Sequence, residues 1–451
     1  MLTTERAEAG LLLVSGSSDI HGSVVNDTVV QRNCSLHVRG NVLGSLTIEP
    51  GAQVVIEGSV DGKIVNKGGR LVVNNKGLAA CVTLDGPLPA EAVGTLRINL
   101  TNIAANYETL TKRTVAECAS VVKANAYGCG VEPVAGALAK TGCKTFFVSN
   151  LSEARRVRAV APNAIIYVIN GLPSGGGPSF ADINARPVIN STIELAEWDV
   201  FTASAQWTGG CALNVDIGDG RFGLSMEETA ASAGRINRLD HGIALVMSRL
   251  EDGGKPGHQD TQVARFREVR RMYDGIAASL ANSSQIFRDN KLHYDLVRSG
   301  SALLGINPAP GVANPMMPVI ELQARIVQVR NLASGDSIPD SGGWAAKRRL
   351  RLAFVSAGYA DGYPRPASAA DNKLHVVVGG KRCPVVAPAS LDLLPVDVTD
   401  LADSTAARPG ATVTLIGPDF GIDDVAAGAK LSGREALCRL GQRFHRIYYA
   451  I

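Results

Sequence analysis

The chain has 451 residues, more than one ordinary domain holds, so two or three domains are expected. Hydrophobic residues make up 45% and charged residues 19%, which is typical of a protein with a sizeable core. The net charge of +3 gives no reason to expect a nucleic-acid partner. No apolar run approaches the length that spans a membrane.

The eight cysteines are scattered, without a CxxC pair or a Cys/His spacing typical of zinc. We therefore predict free thiols, no metal site and a reducing compartment. The N-terminus mixes acidic and basic residues, and the apolar stretch Leu11–Val14 is too short for the core of a signal peptide. These features predict a cytoplasmic protein.

The first 80 residues repeat with a period of 18. Gly22, Gly40 and Gly58 keep this spacing, and apolar residues alternate with polar ones around them. A short repeat with glycine corners predicts a small β-solenoid over residues 1–80, with three short strands per coil. An ordinary β-meander is the alternative. The segment resembles the β-helical core of bactofilin-type polymer-forming proteins, which implies assembly through these repeats.

Residues 81–92, with three closely spaced Gly and Pro residues, predict a linker. Short strands then alternate with amphipathic helices, which predicts a (β/α)8 TIM barrel over residues 93–320. The predicted barrel strands are 119–122, 145–148, 165–169, 186–190, 212–215 and 243–247. The predicted helices include 152–160 and 262–280.

From about residue 319 the chain becomes rich in strands, which predicts a separate C-terminal β domain over residues 321–451. Its predicted strands are 323–329, 350–356, 374–378, 385–387 and 412–416. The predicted fold class is therefore α/β, with a TIM barrel between a small N-terminal β-solenoid and a C-terminal β domain.

Residues 121–130 contain Lys123, directly after a β-branched run and just before a turn of small residues. A lysine at the end of a barrel strand points to an active site, where it can act as a nucleophile. Taken alone, such a lysine is more often a solvated charge at the rim. The run resembles the pyridoxal-phosphate lysine motif of the alanine racemase family and differs mainly at Cys129, where that family usually has histidine.

The resemblance to alanine racemases extends over about residues 93–449. Further matching stretches lie, in chain order, at 170–173, 187–191, 215–223, 281–284, 296–300 and 358–365. It implies a fold-type III pyridoxal-phosphate enzyme that interconverts L-alanine and D-alanine, the latter for peptidoglycan. It also implies a homodimer whose active site is shared between subunits.

The resemblance assigns two catalytic bases. Lys123 would bind pyridoxal 5′-phosphate covalently and act as the base on one face of the substrate, and Tyr359 would be the base on the other face, supplied by the partner subunit. A free tyrosine has a pKa near 10, so Tyr359 needs help to lose its proton. Without the motif, Tyr359 would be interpreted as a packed turn aromatic.

The resemblance also assigns the binding residues. Arg298 would face the pyridine nitrogen, and Arg221 would lie near the cofactor's phenolic oxygen and the substrate carboxylate. The main-chain amide of Leu391 would also meet that carboxylate. The phosphate contacts would come from Tyr127, Ser283, the backbone of Gly300 and Ser301, and Arg434.

Besides Cys129, five positions depart from the family's pattern. Asn214 stands where many members have a lysine that, once carbamylated, steadies the nearby arginine. The others are Arg249 for histidine, Leu304 for tyrosine, Leu391 for methionine and Arg434 for tyrosine. Two alternatives to alanine racemisation stay open because of these changes: racemisation of another amino acid, and a weakly active or non-catalytic cofactor-binding homologue on a solenoid scaffold.

Overall fold

The computed structural model describes residues 7–8, 11–73, 79–83, 92–237, 242–251, 257–339, 341–366, 373–401 and 403–449. It contains two compact units: Met1–Asn102 with Pro318–Ile451 form one, and Ile103–Met317 form the other. Residues 84–91, most of the predicted linker, lie outside the described part of the chain.

The N-terminal strands form parallel ladders that join residues 18 apart. Ser17 pairs with Ser35 and Ser35 with Gln53, while a second ladder joins Leu46 to Ile64. Parallel pairing excludes the β-meander and agrees with three short strands per coil. The strands are β1 (Ala7–Glu8), β2 (Leu11–Val14), β3 (Ser17–Ile20), β4 (Ser23–Val24), β5 (Asp27–Val30), β6 (Ser35–Val38), β7 (Asn41–Val42), β8 (Leu46–Ile48), β9 (Gln53–Ile56), β10 (Ser59–Asn66), β11 (Arg70–Val73) and β12 (Ala79–Thr83).

The inward residues of these strands stack into one apolar cluster. Leu46, Ile48 and Ile56 are fully buried in it, and the alternate positions of the same strands are more exposed. Each buried aliphatic side chain of this size contributes roughly 1.5–3 kcal/mol. The alternation in the sequence thus corresponds to the inner and outer faces of the coils.

The next segment leads into a barrel of eight parallel strands, in the order β20-β19-β18-β17-β16-β15-β14-β21. After β13 (Gly94–Asn99) and α1 (Leu100–Thr111), the strands are β14 (Glu117–Val121), β15 (Thr145–Val148), β16 (Ile165–Val168), β17 (Ala185–Ile189), β18 (Cys211–Asn214), β19 (Ile243–Met247), β20 (Ala278–Ser279) and β21 (Leu296–Ser299). A single bridge between Asn282 and Arg298 closes the gap between β20 and β21. The predicted barrel is confirmed.

Helices follow each of the first seven barrel strands. They are α2 (Lys123–Tyr127), α3 (Val131–Lys140), α4 (Leu151–Val160), α5 (Gly177–Asp182), α6 (Thr192–Ala205), α7 (Met226–Ser232), α8 (His258–Met272) and α9 (Ser283–Arg288). The predicted helix 262–280 is wrong at its end, because α8 stops at Met272 and the range includes β20. A two-residue strand is too short to show a period of its own.

The C-terminal segment forms a largely antiparallel sheet. Its elements are β22 (Ile320–Leu332), β23 (Leu350–Val355), β24 (His375–Val378), β25 (Lys381–Pro384), β26 (Leu394–Asp397), β27 (Thr412–Ile416), α10 (Ile422–Gly428), α11 (Gly433–Arg439) and β28 (Phe444–Tyr449). β22 pairs antiparallel with β13, β23 and β27, and β28 lies parallel to β13 at the edge. The chain therefore contributes β13 to this sheet before it forms the barrel.

The predicted strand 385–387 is wrong. Gly379 and Gly380 both have positive φ and turn the chain tightly, so that Val378 pairs with Lys381 and β25 ends at Pro384. Residues 385–387 are apolar and mostly buried, which is why they resemble a strand in the sequence.

The last solenoid coil packs against β28 within the first unit. The Arg70 guanidinium lies 6.0 Å from the centroid of the Tyr448 ring, and His445 Nε2 lies 3.3 Å from the carbonyl oxygen of Gly69. The end of the solenoid core is therefore covered by the edge of the C-terminal sheet. In the described part of the chain, no helix has the length and apolarity needed to cross a bilayer.

The glycine corners of the solenoid yield a prediction with an internal control. A Cβ on Gly40 would overlap the carbonyl oxygen of Gly22, and one on Gly58 would overlap that of Gly40, whereas a Cβ on Gly22 would have nothing within 4 Å. We expect Gly40→Ala and Gly58→Ala to destabilise the solenoid by roughly 1–3 kcal/mol. Gly22→Ala should be neutral. Calorimetric melting of the three variants checks this, and equal melting curves would contradict it.

Candidate active site

Lys123 follows the carboxyl end of β14, where the amide of Val122 donates to the carbonyl oxygen of Phe147 (2.9 Å) on β15. The next four residues, 124–127, all have φ between 52° and 55° and form one left-handed turn. None of the four is glycine, so each costs roughly 1–2 kcal/mol in this conformation. Lys123 is therefore followed by a strained turn that the surroundings must stabilise.

Two side chains hold this turn. The Glu153 carboxylate accepts hydrogen bonds from the amides of Asn125 (2.9 Å) and Ser149 (2.8 Å). The Asn125 side-chain oxygen accepts from the amide of Val131 (3.0 Å) and from Arg156 (2.8 Å). Sequence reasoning missed Glu153, because a left-handed run without glycine gives no signal in the sequence.

Hydroxyl and amide groups collect at the carboxyl ends of β20 and β21. The Ser283 hydroxyl accepts from the amide of Gly300 (3.1 Å) and lies 3.2 Å from the hydroxyl of Ser299. Ser301 begins a short 3₁₀ helix directly after Gly300. Since β21 is the neighbour of β14, this group lies on the strand beside the one that leads to Lys123.

Tyr127 reaches the same group. A Cβ on Gly300 would overlap the Tyr127 hydroxyl and would also press on the Val121 side chain. Glycine at position 300 therefore lets the phenol lie close to the main chain. The predicted residues Lys123, Tyr127, Ser283, Gly300 and Ser301 are thus brought together at one end of the barrel, and their hydroxyls and amides suit an anion such as a phosphate.

Arg298 is 8% exposed and spans several strands of the barrel. Its guanidinium donates to the hydroxyl of Ser279 (2.6 Å), the carbonyl oxygen of Ser279 (3.0 Å) and the carbonyl oxygen of Ser248. It also lies over the Phe147 ring, 5.9 Å from the centroid. These acceptors are all uncharged, so they orient the guanidinium without neutralising it.

Arg249, one of the departures from the family's pattern, acts on Arg298. Burial, and after it the positive charge of Arg249, lower the pKa of Arg298 to about 10. Arg298 therefore remains a cation at neutral pH. A buried cation that is held by neutral oxygens beside a second arginine lowers the free energy of unfolding. Groups that are buried at such a cost are often found at functional sites.

Arg221 lies in the loop after β18, which is closed by a bridge between Val215 and Leu224. Its guanidinium is 53% exposed and its Nε lies 3.5 Å from the carboxylate of Asp219. Asn214 does not take the place of a charged partner, because its amide donates to the side-chain oxygen of Asn190 (2.9 Å). Asp219, which sequence reasoning missed, supplies the anion beside Arg221.

Tyr359 and Leu391 lie together in the other unit. Tyr359 opens a short 3₁₀ turn, its side chain is 46% exposed, and the Arg365 guanidinium lies 5.0 Å from the centroid of its ring. The carbonyl oxygen of Leu391 accepts from the amide of Ala360 (2.9 Å). The predicted base and the predicted carboxylate-binding segment are thus joined through their main chains.

The remaining departures differ in burial. Arg434 is exposed near the start of α11, where its side chain is accessible to a ligand. Leu304 and Cys129 are buried, so their side chains pack in the interior. Arginine is usually exposed and leucine is often buried, so Arg434 and Leu304 both lie in environments that are ordinary for their residue types.

Two family models match this chain. The model "Alanine racemase, N-terminal domain" matches residues 98–308, and "Alanine racemase, C-terminal domain" matches residues 319–448. An alanine racemase of Methylobacterium sp. (strain 4-46) is 45% identical over 356 residues, which are 78% of this chain and 97% of that protein. A catabolic alanine racemase of Mesorhizobium japonicum is 39% identical over 82% of this chain and 97% of its own length.

Solved structures of alanine racemases also match most of this chain. The crystal structure of alanine racemase from Bartonella henselae with covalently bound pyridoxal phosphate matches 79% of this chain and 100% of its own, at 32% identity and a TM-score of 0.73. That of biosynthetic alanine racemase from Pseudomonas aeruginosa matches 79% and 99%, at 28% identity and a TM-score of 0.72. The family models begin at residue 98, so the solenoid lies outside the matched part.

The uncharged surroundings of Arg298 lead to a stability prediction. We expect Arg298→Met to lower the free energy of unfolding by less than about 1 kcal/mol, or to raise it, because the substitution removes a buried cation that pairs with no carboxylate among the described residues. Arg97→Met is the matched control, since Arg97 pairs with Glu321 at 3.2 Å and its loss leaves that carboxylate with the neutral amide of Gln323 in place of the cation. Thermal unfolding measures both, and a loss of about 3 kcal/mol for Arg298→Met would contradict the argument.

Proposed function

Because this chain belongs to the alanine racemase family, we propose that it interconverts L-alanine and D-alanine with pyridoxal 5′-phosphate as its cofactor. The observation that supports this best is the grouping of Lys123 with the hydroxyls and amides of Tyr127, Ser283 and Gly300 at one end of the barrel. The reaction supplies D-alanine for peptidoglycan. The described cysteines are free thiols, which favours a cytoplasmic location.

The residues present fit this cofactor. The close approach of Tyr127 to Gly300, beside the paired hydroxyls of Ser283 and Ser299, offers a compact set of donors for a phosphate. When bound, pyridoxal phosphate joins an amine covalently, and its ring accepts the charge left when the α-proton departs. Lys123 would provide that amine, and Ser301 and Arg434 would add phosphate contacts.

Lys123 would hold or release the proton on one face of the substrate's α-carbon. A lysine amine at the end of a barrel strand is a side chain that can serve as such a base. Arg298 would face the ring nitrogen. As a permanent cation fixed by Ser279 and Ser248, it would keep that nitrogen unprotonated and limit the charge drawn into the ring, which favours proton exchange over other reactions.

Tyr359 would serve the opposite face, supplied by the partner subunit of a homodimer. The Arg365 guanidinium lies 5.0 Å from the centroid of its ring. Arg221, oriented by Asp219, and the main-chain amide of Leu391 would bind the substrate carboxylate. Two bases on opposite faces allow the proton to leave from one side and return on the other.

A second candidate is racemisation of another amino acid. The departures at Arg249, Leu304 and Leu391 motivate it, and the observation that favours it is Arg249, whose positive charge acts on Arg298. Assembly through the solenoid stays a separate prediction.

The lysine assignment is tested by turnover. We expect the purified full-length protein with added pyridoxal phosphate to form D-alanine from L-alanine, and Lys123→Ala to lose this activity completely together with covalent retention of the cofactor. Chiral chromatography and absorption spectroscopy give the two readouts. Racemisation by the variant would refute the role of Lys123. A wild-type protein that does not racemise alanine but racemises another amino acid would support the second candidate.

The tyrosine assignment is tested in deuterated water. We expect Tyr359→Phe to slow racemisation by roughly 10²- to 10⁴-fold, because one face loses its base. One enantiomer should still take up deuterium at its α-carbon through Lys123, and the other should not. Mass spectrometry of each enantiomer measures this. Parallel losses for both enantiomers would argue against two bases on opposite faces.

A further inference from the structure

Asp361 is a fully buried carboxylate in the turn that contains Tyr359. It is 0% exposed, and its Oδ2 accepts a hydrogen bond from the amide of Gly358 (2.8 Å), the residue before Tyr359. The side chain thus links the two ends of the turn on either side of the proposed base. A carboxylate in this position needs compensation, since burial alone disfavours its charge.

Arg443 provides that compensation from a distant part of the sequence. Its Nε lies 3.1 Å from Asp361 Oδ1, and the arginine itself is half exposed. Burial raises the pKa of Asp361, while the Gly358 amide and the Arg443 charge act in the opposite direction. Arg443 therefore partly offsets the cost of burying this carboxylate, and its outer part can reach water.

The backbone of the turn is fixed on the same side. The carbonyl oxygen of Asp361 accepts from the amide of Gly441 (2.8 Å), and a Cβ on Gly362 would overlap the carbonyl oxygen of Arg439. Residues 439–443 thus lie directly against the turn. Gly362, at φ +81°, is the residue that allows this approach.

A second segment fixes the opposite side. The amides of Tyr359 and Ala360 donate to the carbonyl oxygens of Ser390 (3.1 Å) and Leu391 (2.9 Å). Tyr359 itself remains 46% exposed, although its amide is bonded in this way. The backbone of the turn is therefore held between two segments, and Asp361 is the group that ties its start to one of them.

We propose that Asp361, together with Arg443, is a positioning residue that fixes the direction of the Tyr359 phenol. The proposal rests on the proposed function, in which Tyr359 is the base on one face. A base must lie within hydrogen-bond distance of the proton it removes, and a misplacement of about 1 Å can cost about 100-fold in rate. Loss of the ion pair lets the turn relax, so only the step that uses Tyr359 is slowed.

The test uses the full-length holoenzyme with Asp361→Asn, which keeps the size of the side chain and removes its charge. We expect racemisation to fall roughly 10- to 100-fold. Deuterium uptake into the enantiomer served by Lys123 should stay within about 2-fold of wild type, and the absorption of the bound cofactor should be unchanged. We expect the same pattern of effects for Tyr359→Phe, with a larger loss of racemisation.

Two further variants keep the test decisive if Asp361→Asn folds poorly. Arg443→Gln alters a half-exposed partner and should show the same pattern with a smaller loss, and the double variant should lose less than the product of the two single losses. Arg348→Gln is the matched control, because it removes a similarly exposed arginine from Asp397 (3.2 Å) in the same unit. It should leave both rates unchanged.

Amide hydrogen exchange separates this proposal from the proposed function. Asp361→Asn and Arg443→Gln should speed exchange in residues 358–362, whether or not the protein racemises alanine. Unchanged exchange there, or an unchanged rate of racemisation, would overturn the positioning role. So would equal loss of deuterium uptake into both enantiomers. An inactive wild type with faster exchange in the variants would refute the alanine assignment and leave the fixed turn supported.

Discussion

Arg298 links the closure of the barrel to the chemistry at its mouth. Its backbone amide donates to the carbonyl oxygen of Ala281 (2.9 Å), where β20 and β21 meet through a single bridge, and its side chain bonds Ser279 and Ser248 on the neighbouring strands. The main chain of Arg298 therefore lies in the seam between β20 and β21, and its side chain is oriented by residues of the same sheet. Among the described residues the guanidinium donates to neutral oxygens, so its position is fixed while its charge remains available.

The left-handed turn after Lys123 shows the same combination of cost and function. Four consecutive non-glycine residues at positive φ are unfavourable, and Glu153 and Asn125 offset this with hydrogen bonds that meet the exposed amides. The turn brings Tyr127 back to Gly300 on the neighbouring strand. The strained turn is thus the segment that connects the lysine to the proposed phosphate contacts.

The sequence predicts those parts of the fold that repeat or alternate. Six barrel strands and the 18-residue coils follow from apolar patterning, because each strand is long enough to bury one face. β20 has two residues and is set by tertiary pairing, so the predicted helix 262–280 extends too far. The hairpin at Gly379 and Gly380 is set by turn geometry, so the predicted strand 385–387 is misplaced. For the site, the motifs identify residues that touch ligands. Glu153, Asp219 and Asp361 act on other side chains or on the backbone. Asp219 and Asp361 lie inside matching stretches, but the sequence does not show which group each carboxylate contacts, and Glu153 lies outside those stretches.

The solenoid's position follows from where it joins the chain. The family models begin at residue 98, within β13, and β28 is the parallel neighbour of β13 at the edge of the sheet. A domain attached before β13 is therefore tethered close to that edge, and its last coil meets β28 through Arg70 and Gly69. An open sheet edge and an open end of a solenoid core are both prone to unwanted association. Packing the last coil against β28 therefore protects both the sheet edge and the end of the solenoid core.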